Sequence, residues 1–179
     1  MDLNDLLRSF KRLYALDTNT WNLSADKISV ASPLEAWFIG QKVYIRHFPS
    51  LELRNVAGSP EHMAWRLFIK ARCRAGDDDE NARIGLIVDA EVSLLSGINT
   101  CLIPVNDKFF LPDNFEIIYA TSDGGREMIV NRLIDACEKR GENLLQEICS
   151  NLENTKMLKT VKSECFSHKR WWPGETLDS

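Results

Sequence analysis

RIGLIVDA, residues 83–90, is the stretch on which the fold turns. From Ile84 to Val88 no polar residue falls on either parity, which is how a strand covered on both faces is written. CLIPV at 101–105 and FEIIYA at 115–120 share this pattern, and the three segments together predict the centre of a sheet. Pro104 has no N–H to give to a ladder, so the 101–105 segment belongs at an edge or a bulge.

The neighbours of these segments read as helices. In SPEHMAWRLFIKARCRAG, alternation and helical periodicity compete, and the end residues decide between them. Ser59 suits an N-cap, Pro60 the first helical position, Glu61 the positive end of the dipole, and Gly76 the residue past the last turn. A helix over Pro60–Ala75 follows. Across 124–154, Ile129, Leu133, Ala136 and Cys137, then Leu144, Leu145, Ile148 and Leu152, recur at helical spacing. Gly141 between the two sets predicts either two helices or one kinked helix. The acid-rich GDDDENA, as a like-charged run, reads as a solvated loop.

Toward the N-terminus, KVYIRHF and LELRN alternate on either side of Phe48-Pro49-Ser50 and predict a hairpin or a bent strand pair. Residues 17–40, with Asp17, Asn19, Ser24, Ser29, Ser32 and Pro33 scattered among apolar residues, read as a loop-rich connection. Residues 2–16 place Leu3, Leu6, Leu7, Phe10, Leu13 and Tyr14 on one helical face and Arg8, Lys11 and Arg12 on the other, predicting an amphipathic helix. Interlaced strands and helices favour the α/β class, a mixed sheet of about four to six strands flanked by helices, with α+β as the alternative.

The chain has 179 residues, 44% of them hydrophobic and none in repeats, as expected of a single domain over 1–179. Residues 155–179 form a basic, Trp-containing C-terminal tail. No apolar run reaches the roughly 18 residues of a membrane span, and the first ten residues lack a secretory apolar core. The five cysteines are odd in number and scattered, which fits a reducing compartment, so a cytoplasmic location is expected. A net charge of −4 excludes a surface that is basic throughout, as wholesale nucleic-acid binding requires, and leaves local patches open.

Three groups of residues bear chemistry. Asp89 and Glu91 follow an apolar strand with matching parity, and Asp123 follows another. Were those strands parallel and adjacent, the three carboxylates would converge at the carboxyl ends of the sheet, where open α/β sheets gather ligands. Such oxygens hold Mg²⁺, and they are the candidate catalytic and metal-binding set. The bland reading is that Asp89 and Glu91 are an exposed strand end. Ser122, Gly124, Gly125 and Arg126 lie between that second strand and a helix, where free N–H groups and a guanidinium suit an anion. The same residues also make an ordinary capped turn. Lys169, Arg170, Trp171 and Trp172 join charge and flat rings, as a partner-binding segment does, unless the rings fold back on their own domain.

Cys165 and His168 have metal-ligand spacing but lack a second close pair, and His47 and His62 stand apart from any nucleophile motif. Phosphate-loop, dinucleotide, serine-hydrolase, kinase and zinc-ribbon signatures are missing. Two functions are therefore expected. The first is an accessory or binding subunit that docks a protein or nucleic-acid partner through the tail, with a protein partner or a homo-oligomer expected, no cofactor and no membrane. The second is a Mg²⁺-dependent enzyme acting on phosphodiesters or nucleotides through Asp89, Glu91 and Asp123.

Overall fold

The computed structural model describes residues 3–23, 26–75, 82–89, 114–120, 128–155 and 175–176. Helix α1 (Leu3–Arg8) leads into β1 (Arg12–Leu23), β2 (Asp26–Ile39), β3 (Lys42–His47) and β4 (Leu51–Arg54). Then come α2 (Pro60–Ala75), β5 (Ile84–Asp89), β6 (Phe115–Ala120), α3 (Ile129–Thr155) and the two-residue β7 (Glu175–Thr176). The seven strands form one mixed sheet in the order β6-β5-β1-β2-β3-β7, with β4 also on β2. β1 runs antiparallel to β2 and parallel to β5, and β5 runs parallel to β6. The α/β expectation holds, with helices on both faces.

Three expectations give way. The helix over 2–16 is only Leu3–Arg8, because the following residues are needed as a strand buried on both sides. Leu13 and Ala15 enter the core beneath α3, while Tyr14 and Leu16 enter the one beneath α2. The loop expected at 17–40 is instead the two longest strands, β1 and β2, paired from Leu13–Ala36 to Leu23–Asp26. The sheet centre is accordingly β1, not the trio expected: β6 is outermost in the described order, and 101–105 lies outside the described residues.

Pro33 shows how a breaker fits inside β2. Its carbonyl accepts from Phe48 N–H at 3.0 Å. A strand residue's N and C=O point to the same side, so the missing N–H faces the gap between β3 and β4 rather than the β1 ladder. That gap is Phe48-Pro49-Ser50. β3 pairs with residues 34–39 of β2 and β4 with 28–31, so the bent pair is confirmed and the hairpin between β3 and β4 is not formed. The tight turn comes earlier, at Gly40-Gln41, where Gly40 takes φ +60, a region glycine enters without a Cβ penalty.

α2 occupies the predicted range and buries Ala64, Trp65, Phe68 and Ile69 against Tyr14, Leu16, Phe48 and Leu86. α3 continues through Gly141 as one helix of 27 residues on the opposite face. Its first half packs Val130, Leu133, Ile134 and Cys137 on Leu13, Ala15 and Ile87, and its second half packs Leu145 and Cys149 on Ile28 and Val30.

Candidate functional site

Odd-numbered β1 residues face α3: Leu13 and Ala15 are fully apolar, and the next two, Asp17 and Asn19, are polar. β2 follows the same change, since Leu34 lies opposite Ala15 and buried Ser32 opposite Asp17. A polar layer therefore interrupts the apolar contact between α3 and the sheet. Asn19 Nδ2 donates to Asp17 Oδ2 and to the Glu138 carbonyl, both at 3.1 Å. Ser32 Oγ and Ser50 Oγ are 3.2 Å apart. Gly141 lets the helix come this close, because a Cβ there would stand 2.5 Å from Asn19 Nδ2 and 3.5 Å from Ser32 Oγ.

Electrostatics tie further groups to this layer. Burial pushes the Cys137 thiol well up, and the negative charges of Asp17 and Glu61 push it further, opposed by a backbone hydrogen bond from Asp17 and by Arg140. Glu61, in the first turn of α2, and Asp17, on β1, thus act on one point in the molecule. His47, opposite Leu34 on β3, is lowered to about 4, first by burial and then by the positive charge of Arg140. This neutral imidazole is a poor candidate for holding a proton at neutral pH.

β5 approaches from the other side. Ala15 pairs with Ile87 at the end of the parallel ladder, and Asp17 and Asp89 each stand two residues beyond that pair on neighbouring strands. Asp89 in turn pairs with Ala120, the last residue of β6. The condition set for an acidic rim, that the strands leading to Asp89 and Asp123 be adjacent and parallel, is met. Of the expected site residues, Asp89 is the last of β5, while Glu91, Ser122, Asp123, Gly124, Gly125 and Arg126 lie outside the described residues. Lys169, Arg170, Trp171 and Trp172 lie outside them as well. Among the described residues no group of three or more His, Cys, Asp or Glu side chains could hold a metal ion.

Asp17 is what the sequence reading missed. The signal was there: LYALD, residues 13–17, and GLIVD, 85–89, are both apolar runs closed by an aspartate. The polar residues that follow Asp17 read as a loop, which hides the strand on which it stands.

No protein-family model matches the chain, and no curated protein is similar to it. One solved structure is similar, the crystal structure of LC9-RNase H1, described as a type 1 RNase H with the type 2 active-site motif. It has a TM-score of 0.39 and 8% identity over 74% of this chain and 70% of that one, a likeness too loose to bear on activity. No helix among the described residues is long and apolar enough to cross a membrane.

Proposed function

We propose that this protein is a Mg²⁺-dependent enzyme acting on phosphodiesters, with Asp17 and Asp89 at the heart of its site and Glu91 and Asp123 as the further carboxylates. The observation that carries the reading is the register of β1 on β5, in which Asp17 and Asp89 each stand two residues beyond the last pair of the ladder, where an apolar run ends on each strand. Open sheets place their ligands at carboxyl ends of strands such as that of β5. Hard carboxylate oxygens suit Mg²⁺, which supplies charge for the phosphoryl oxygens and a more acidic bound water. Asn19 would hold the Asp17 carboxylate in one orientation through its 3.1 Å hydrogen bond.

The partner-docking role expected for the tail rests on Lys169, Arg170, Trp171 and Trp172, which lie outside the described residues. Glu175–Thr176, the described part of the tail, runs along β3 of the same sheet.

The test is nucleic-acid cleavage with and without Mg²⁺, joined to a thermal melt across a Mg²⁺ titration. Cleavage that needs the metal, together with a metal-dependent rise in Tm, is expected, because a ligand bound by the native state alone stabilises it. Asp17→Asn and Asp89→Asn should each lower cleavage by at least roughly a hundredfold, more than the loss of an outer-shell partner, and abolish the rise. The reading fails if neither effect occurs, or if both survive the two substitutions.

A further inference from the structure

We propose that the open stretch of sheet around Trp37 and Tyr44 binds single-stranded nucleic acid. Three registered pairs of β2 and β3 share one face: Glu35–Arg46, Trp37–Tyr44 and Ile39–Lys42. The rings of Trp37 and Tyr44 are nearly parallel, 19° between planes with centroids 6.1 Å apart. Both residues are half-buried, Lys42 is exposed, and Ile39 is 59% exposed.

The core beneath α2 takes in Tyr14, Phe48, Leu51 and Leu53 but no residue of β3, so this end of the face lies beyond the helix's apolar footprint. Charge gives the patch its sign. Glu35 is nearly buried and is shared by Arg46, hydrogen-bonded to its Oε2, and by Arg12, whose Nη1 is 3.3 Å from Oε1. Among the described side chains of this face, Lys42 joins Arg46 and Arg12 beside the carboxylate of Glu35, on a chain whose net charge is −4.

Flat rings beside a local excess of positive charge match what an unpaired strand offers, namely base faces free to stack and phosphates in need of counterions. A duplex keeps its base faces inside the stack. An acidic peptide would meet the cations but leave the ring pair unused. A second copy of this chain, docked patch to patch about a two-fold axis, would bring like charges together. The proposal does not rest on the acidic site, because Asp17 belongs to the face covered by α3.

The experiment is fluorescence anisotropy of a labelled oligothymidylate with the full chain at low salt, beside a duplex of equal length. The wild type should bind the single strand more tightly than the duplex. Trp37→Leu and Tyr44→Leu, which keep apolar bulk, should each weaken single-strand binding about tenfold or more. Lys42→Glu, at an exposed position where folding is not at stake, should weaken it and flatten its salt dependence. Binding is read without Mg²⁺, where the proposed cleavage cannot occur, which separates failure of the patch from failure of the enzyme reading. The proposal is overturned if the strand does not bind, if the duplex binds as well or better, or if Trp37→Leu, Tyr44→Leu and Lys42→Glu leave affinity unchanged. It is overturned equally if those substitutions alter only the sedimentation of the protein, the mark of a self-association surface.

Discussion

The two faces of the sheet are built on different principles. Under α2, Tyr14, Phe48, Trp65 and Phe68 form an aromatic cluster with edge-to-face contacts at centroid distances of 5.2 to 6.2 Å. One charge admitted there, Arg72, is 1% exposed and lies over the Phe48 and Tyr14 rings at 4.9 and 5.3 Å, with its Nε donating to Tyr14 Oη at 3.1 Å. Under α3 the contact is aliphatic at both ends and polar in the middle, and the polar residues come from strand positions that apolar ones could have filled. A buried arginine held by rings is a packing solution. A carboxylate, an amide and a hydroxyl placed across adjacent strands weaken that contact, and natural sequences tend to accept such costs at functional sites.

If this contrast is real, the α2 face should be the more sensitive to loss of bulk. Phe68→Ala and Trp65→Ala each remove a fully buried ring from the cluster and should cost about 3 to 5 kcal/mol in urea unfolding. Asp17→Asn should cost little or even stabilise, since it removes a half-buried charge without removing volume. Equal losses from Phe68→Ala and Asp17→Asn would erase the distinction between a structural and a functional face.

Gly141 sharpens it further. Alanine favours helix over glycine by about 1 kcal/mol, yet here its Cβ would press on Asn19 Nδ2 at 2.5 Å. Gly141→Ala should therefore destabilise by roughly 1 to 2 kcal/mol net, as strain from overpacking outweighs propensity. In the double variant with Asn19→Ala much of that loss should return, because the atom that is struck has gone. Additive losses in a double-mutant cycle would show that the close approach is not centred on Asn19.

Much of this arrangement was legible in the sequence, and what was not has a common cause. End signals settled α2 to the residue, because Ser59, Pro60 and Gly76 act locally. The continuous apolar run gave β5, buried from Ile84 to Val88, since burial on both faces needs no partner to be recognised, and a similar run gave β6 although Glu116 and Tyr119 of that outer strand are exposed. β1 and β2 were lost because their polar residues are acceptable in a strand only when a specific long-range partner meets them. Asn19 needs the Glu138 carbonyl 119 residues away, and Pro33 needs a gap in its neighbouring strand. For the same reason Asp89 was found and Asp17 was not, although the two stand on neighbouring strands.

The smallest effect concerns His47, which borders the polar layer. In the unfolded chain it takes up its proton near 6.5, and in the folded protein only at about 4. Between those values the unfolded state binds more protons, so stability is fully present above about pH 6.5 and falls as the pH drops toward 4. Because the ring is only partly buried, the loss should be discounted to about 1 kcal/mol. It should show as a lower urea midpoint at pH 5 than at pH 7, with His47→Gln flattening the difference. Arg140→Gln should flatten it in part, because Arg140 is the lesser cause after burial. If Arg140→Gln flattened it as completely as His47→Gln does, charge rather than burial would dominate, and His47 would belong to the same electrostatic group as Asp17, Glu61 and Cys137.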